Sequence, residues 1–129
     1  MKMKIAASIA GGVLLSGMAA PPAQAEGSRT SYISWWIQGH ESNRWWDGSS
    51  DTWDTAVELS NCETEGHFSW VSLSLWRDIS SAPDRSYGGY TNDCGRTAWG
   101  DVAAGTYYFK VDSFREGEHF SAKPVNIYW

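Results

Sequence analysis

The side chains of this sequence with the most chemistry to offer are three histidines, a run of spaced aspartates and a surplus of tryptophan. His40, His67 and His119 are scattered, and no H-E-x-x-H or C-x-x-C spacing accompanies them, so a zinc site would need ligands gathered from separate loops. Surface or turn positions account better for all three. Serines are plentiful, but G-x-S-x-G is absent and no serine is marked out as a nucleophile by its neighbours. Asp47, Asp51 and Asp54 share the stretch Asp-Gly-Ser-Ser-Asp-Thr-Trp-Asp, a pattern suited to Asx turns onto its own backbone. The same three form a weak Ca²⁺ candidate, because spaced carboxylate oxygens suit a hard cation, although the EF-hand spacing is missing. A glycosidase pair would need two acids roughly 5–10 Å apart across a cleft, and this chain has little material to wall in a sugar. The sequence reads as a non-enzyme, with no catalytic residue, no cofactor and no metal expected.

The tryptophans carry more. All nine Trp, six Tyr and four Phe follow residue 25. Each ring covers roughly 150–250 Å², and one small domain cannot bury nineteen of them. Some indoles must lie outside, and exposed apolar patches mark contact surfaces. Trp35-Trp36 and Trp45-Trp46 are doublets. On a strand, successive side chains point to opposite faces, so one ring of each doublet enters the core and the other faces out. Arg44 directly precedes the second doublet, and Trp and Arg are enriched at interface hot spots. Trp70 and Trp76 pose the same question on the face opposite Val71, Leu73 and Leu75. The polar segment 26–31, with Arg29, leads straight into Tyr32. It is either a frayed tail or a segment that orders on meeting a partner's groove. The partner-binding candidates are thus Arg29, Tyr32, Trp35, Trp36, Arg44, Trp45, Trp46, Trp70 and Trp76.

The elements that must position these residues begin after a leader. Lys2 and Lys4, an apolar run over 5–20 and the ending Ala23-Gln24-Ala25 predict a secretory signal peptide over 1–25. An N-terminal extension and first strand over 26–36 and a sandwich over 37–129 follow. Losing two lysines and no acid takes the formal charge from −5 to −7. With no cluster of Lys or Arg, nucleic acid and anionic membrane are excluded as partners. Cys62 and Cys94 both lie in the exported part, where oxidising conditions favour a disulfide. Closing a loop of that span stabilises by about 4 kcal/mol.

No segment after residue 25 has a 3.6-residue apolar period; two-residue alternation broken by turn residues dominates. Strands are predicted over 32–38, 44–46, 52–60, 67–77, 86–93 and 107–114, with a last one carrying Val125, Ile127 and Trp129. In 52–60, Trp53, Thr55, Val57 and Leu59 share one face. Residues 63–66 are a turn, 78–84 a loop, 95–104 irregular and 115–118 a hairpin turn. Pro124 would interrupt a central ladder, which places it at an edge or a bulge. Seven or eight short strands without a helix give an all-β, antiparallel two-sheet sandwich. The run Gly105-Thr106-Tyr107-Tyr108-Phe109 has the flavour of a tyrosine corner, which favours an immunoglobulin-like arrangement, with a jelly roll as the alternative.

Several runs carry a resemblance: Ser42-Asn43-Arg44-Trp45-Trp46-Asp47-Gly48, Ser60-Asn61-Cys62, residues 71–78, Pro83-Asp84-Arg85-Ser86-Tyr87-Gly88, Asn92-Asp93-Cys94 and Gly105-Thr106-Tyr107-Tyr108-Phe109. Together they resemble the small adaptor subunits of umbrella toxin particles, over most of residues 42–114. The resemblance implies a secreted sandwich without enzymatic activity. It would dock on the repeat-bearing ring of a large toxin subunit and insert its N-terminal segment, here residues 26–36, into a lectin-bearing subunit. The expected function is that of an extracellular adaptor acting through protein–protein contacts. Two other classes compete with it: a secreted carbohydrate-binding module using surface tryptophans, and a hydrolase inhibitor presenting the loop 78–85.

Overall fold

The computed structural model describes residues 27–129. The expected leader, residues 1–25, lies outside the described residues, as does Glu26. Nine strands follow one another: β1 (Ser28–Trp36), β2 (Trp45–Asp47), β3 (Ala56–Leu59), β4 (Glu63–Thr64), β5 (Val71–Asp78), β6 (Arg85–Asn92), β7 (Arg96–Ala98), β8 (Gly105–Phe114) and β9 (Phe120–Tyr128). The described residues contain no helix.

One sheet has the order β1-β9-β3-β7, with the short β4 also on β9, and the other has the order β2-β8-β5-β6. Setting β4 aside, the first strand pairs with the last, the second with the next to last, and so inward to the β5–β6 hairpin. A long antiparallel ribbon has been rolled up so that its arms alternate between two sheets, which is a jelly roll. The two-sheet antiparallel sandwich is as expected, and the strand order selects the jelly roll over the immunoglobulin-like arrangement. The cue behind the latter is real as local geometry: the Tyr107 hydroxyl donates to the Ala103 carbonyl at 2.7 Å. Such a corner anchors one turn and says nothing about which strands pair.

Two predicted turns change role under this topology. Residues 115–118 do not close a hairpin but carry the chain from β8 in one sheet to β9 in the other. Glu116 and Gly117 make that crossing with φ of 73° and 136°. Residues 63–66 are not a plain turn either, because Glu63 and Thr64 lie as β4 against Ser121 and Phe120. The strand predicted over 52–60 is shorter, starting at Ala56. The Asp51 carboxylate accepts the Trp53 N–H at 2.9 Å, and this Asx turn keeps Trp53 out of the sheet. The stretch expected to be irregular holds β7. Pro124 does sit at a bulge: β9 is flanked by β1 and β3, and its register with β1 shifts between Ala122 and Val125.

The core fills the space between the sheets. Ile33, Val57, Leu59, Phe120, Val125 and Ile127 face Trp45, Leu73, Leu75, Tyr107, Phe109 and Val111. The alternation Val71, Leu73, Leu75 holds as read, and all three are fully buried. Cys62 and Cys94 form the expected disulfide, with 5.8 Å between their Cα atoms. It ties the β3–β4 connection to the β6–β7 turn. That turn is also held by the buried Asn92, which accepts the N–H groups of Cys94 and Gly95 and donates to the Thr97 hydroxyl.

Truncating the core should therefore cost far more than truncating the displaced tryptophan. Leu73→Ala is expected to lower unfolding free energy by about 2–5 kcal/mol. Trp53→Ala is expected to stay within about 0.5 kcal/mol of the parent, and urea titration of both variants checks the contrast.

Candidate functional site

Each tryptophan doublet divides as strand geometry demands. Trp45 is buried, 5.9 Å from Trp129 and 6.5 Å from Tyr107, while Trp46 points outward from β2 and is more than half exposed. Trp36 is half-buried, with its ring stacked on His40 at 4.2 Å and 5.8 Å from Phe109, and Trp35 is more than half exposed. The backbone explains the second case. Between the Ile33–Ala122 and Trp36–Phe120 pairs, β1 has one residue more than β9, and Trp35 takes φ of 55° there. That left-handed conformation suits glycine and strains a bulky side chain. The Trp35 N–H donates to the Ser121 hydroxyl at 3.0 Å, and its ring meets the His119 ring edge-on at 4.8 Å. Tyr32 and Ile37, on either side of the bulge, are also more than half exposed. Residues 32–37 therefore present three large apolar side chains, Tyr32 and Trp35 on an edge strand and Ile37 just past its end.

From Gly27 onward the N-terminal segment is tied to the sheet. Gly27 and Trp129 exchange both backbone hydrogen bonds, at 2.8 and 3.0 Å, and β1 runs along β9 from Ser28 onward. Arg29 reaches across to donate to the carbonyls of Arg44, at 3.1 Å, and Asn43, at 3.3 Å. Arg44 is itself engaged. Its guanidinium contacts Asp78 at 3.0 Å and Glu41 at 3.1 Å, and it lies 3.8 Å from the centre of the Tyr108 ring. Burial works against the Arg44 charge, but the bonds to Asp78 and Glu41 outweigh it and hold its pKa above the usual value. Under that guanidinium the Tyr108 hydroxyl donates to Asp84, whose pKa is lowered first by this bond and then by the Ile79 N–H.

Trp70 and Trp76 are both half-buried. The Lys110 ammonium sits 4.3 Å above the Trp76 ring, and Trp76 Nε1–H donates to Ser74, which donates in turn to Asp112. On the outer face of the sheet that holds β5, Trp76 is thus part of a network of internal contacts. The outer face of the other sheet is polar: Thr30, Asn126, Glu58 and Arg96 stand in one row across four strands. Thr30 donates to Asn126 at 2.8 Å, and Arg96 pairs with Glu58 at 3.3 Å.

The three aspartates have separate roles. Asp47 is buried and accepts from the Ser49 N–H and the Thr55 hydroxyl, Asp51 serves its Asx turn, and Asp54 is exposed. Among the described residues no three His, Cys, Asp or Glu side chains group as metal ligands. The histidines are dispersed: His40 lies on Trp36, His67 is exposed and His119 pairs with Glu65.

A cleft of about 400 Å³ opens between β1 and the segment 40–43. Sequence reasoning missed it, although its signal is visible. Arg29 and Ser31 occupy the β1 positions that alternate with Ile33 on the inward face, so the sandwich is left open there. Phe109, Val125 and Ile127 line its inner side, and Trp36, His40 and Asn43 are also in the lining.

These features define a jelly-roll sandwich with a strained aromatic edge and a polar cleft beside it. Compared with protein-family models, with curated proteins and with solved structures, the chain matches none of them.

Glu65 gives this region a pH dependence. Its carboxylate pairs with the His119 ring and accepts the N–H groups of His119 and Glu118, and these contacts, the ring first, lower its pKa from 4.5 to about 2. A carboxyl lowered on folding stabilises above its unfolded value and ceases to do so as pH falls through the folded one. The melting temperature should therefore drop between pH 4.5 and about 2, and Glu65→Gln should flatten part of that drop in thermal melts followed by circular dichroism.

Proposed function

We propose that this chain is a secreted, non-enzymatic adaptor that joins other extracellular proteins through the aromatic edge of β1. The observation that carries this reading is Trp35, a bulky residue in a left-handed bulge with its indole turned to solvent. Strain of this kind costs of order 1–3 kcal/mol and concentrates at functional sites. Tyr32 and Ile37 extend the same apolar edge, and Trp46 supplies a separate aromatic contact on the other sheet. Two such surfaces suit a bridge between partners. The resemblance to umbrella toxin adaptors names the assembly: a large repeat-bearing toxin subunit and a lectin-bearing subunit. Because β1 is integral to its sheet, the N-terminal segment would meet its partner as an ordered edge and not as a threaded tail. The Cys62–Cys94 disulfide is compatible with an extracellular setting. A line of surface tryptophans for a polysaccharide is less well supported, since Trp35 and Trp46 belong to different sheets and Trp70 and Trp76 are half-buried.

Trp35→Gly separates binding from folding, because glycine relieves the backbone strain while the ring is lost. Its stability is expected to lie within about 1 kcal/mol of the parent. Immobilised parent protein should capture large secreted polypeptides from the host's culture medium, identified by mass spectrometry, and Trp35→Gly or Trp46→Ala should lose them. Equal capture by parent and both variants would overturn the proposal, as would capture of nothing by the parent.

A further inference from the structure

On the adaptor reading above, on which this rests, we infer that the partner at the aromatic edge is basic and seats an arginine guanidinium between the Trp35 indole and the Glu63 carboxylate. Register places these groups on one face. Phe120 and Ala122 of β9 lie in the core, so Ser121 between them stands on the outer face of its sheet. Glu63 of β4 pairs with Ser121 on one side, and the Trp35 N–H reaches the Ser121 hydroxyl from the other. Tyr32 and Ser34 flank the buried Ile33 and share that outer face. A pocket of about 60 Å³ lies among Trp35, Glu63, Glu65, His119 and Ser121. A groove of about 470 Å³ adjoins it, and Glu63 and Ser121 belong to both.

An open ring and an open carboxylate meet there. Trp35 is 62% exposed, and the bulge and its bond to Ser121 hold its backbone in place. Glu63 is exposed, and its carboxylate makes no hydrogen bond or ion pair with another described residue. Glu65 is committed instead: it accepts from the N–H groups of Glu118 and His119 and pairs with the His119 ring, which meets Trp35 edge-on. The surrounding charge is negative. Glu116 and Glu118 stand on the adjacent crossing, where the Gly66 N–H donates to the Glu116 carbonyl. Against these four glutamates are set Arg115, 4.0 Å from Glu116, His119 on Glu65, and Lys123, which lines the groove and pairs with no described carboxylate. A ring face attracts a cation through its quadrupole, and a carboxylate accepts the cation's donors. An apolar partner would leave Glu63 desolvated and unpaired, which is costly, so the charge selects as well as attracts. Arginine suits the site, because its planar head can lie on an indole while its N–H groups reach a carboxylate.

The test is a titration of the ¹⁵N-labelled protein with the peptide acetyl-Gly-Gly-Arg-Gly-Gly-amide. The Trp35 indole and the Ser121 amide should shift saturably, with a dissociation constant of about 1–10 mM. The citrulline counterpart, alike in shape but uncharged, should leave both signals in place. Glu63→Gln should weaken binding about two- to fivefold, and Trp35→Gly should abolish it. Asp93→Asn, which removes an exposed acid at the β6–β7 turn, should bind as the parent does. In the capture experiment, Glu63→Arg should lose the partners; if that variant does not fold, Glu63→Gln in the titration decides. Any of four results would overturn the arginine site: no saturable shift, equal binding of the citrulline peptide, unaltered binding by Glu63→Gln, or the same shifts from sodium chloride at matched concentration. Should the parent capture nothing, the adaptor reading falls, and the titration still decides whether the pocket takes a guanidinium. Should Trp35→Gly lose the partners while Glu63→Arg keeps them, the adaptor reading stands and the arginine site falls.

Discussion

The pairing of the first strand with the last is the constraint on which the rest of the molecule depends. β9 lies between β1 and β3, and it also carries β4. Until β9 is in place, β1 has no partner, the bulge at Trp35 has no register against which to form, and the cleft has only one wall. The backbone exchange between Gly27 and Trp129 closes the end of this ladder. Bringing together residues so distant in sequence carries a loop-closure cost that local pairs avoid, and sandwiches dominated by such pairs fold on a scale of about milliseconds to seconds. The disulfide shortens part of that search, since Cys62 and Cys94 join connections next to β3 and β7, which are themselves paired.

Local chemistry was legible in the sequence, and long-range pairing was not. Val71, Leu73 and Leu75 alternate because one face of β5 is buried, and period two reports that wherever it holds. Pro124 announced an edge or a bulge, and the doublets announced one inward and one outward ring each, because these follow from backbone geometry alone; Trp45 is buried and Trp36 half-buried. Strand order follows instead from which faces meet after the roll. Tyr107 could point to a corner but not to a topology. Alternation put Trp53 on one strand face with Thr55, Val57 and Leu59, and the Asx turn at Asp51 overrode it. Arg44 read as a hot-spot candidate beside Trp45, and its tie to Asp78, more than thirty positions away, was not legible. The cleft was hidden for a related reason: polar residues at 29 and 31 look like an ordinary tail until β1 is known to be a strand.

Most of the aromatic surplus is spent internally. Tyr87 packs on Tyr107, Phe68 and Phe114 pack on Phe120, and Trp99 donates its Nε1–H to the Gly88 carbonyl. Cations cover further rings, with Arg44 over Tyr108 and Lys110 over Trp76. This accounting narrows the surface question from nineteen rings to a few. Those left uncovered are Tyr32, Trp35, Trp46, Trp53 and Tyr90, and only around Trp35 does a strained backbone accompany the exposure.

The left-handed bulge at Trp35 has an evolutionary consequence. The tryptophan codon becomes a glycine codon by one base change, and glycine is the residue that such a backbone accepts most readily. An indole with no task at that site would be under pressure to disappear, its replacement being both one base change away and the more comfortable one for the chain. On the adaptor reading proposed above, selection at this position weighs what the ring touches above what the fold prefers.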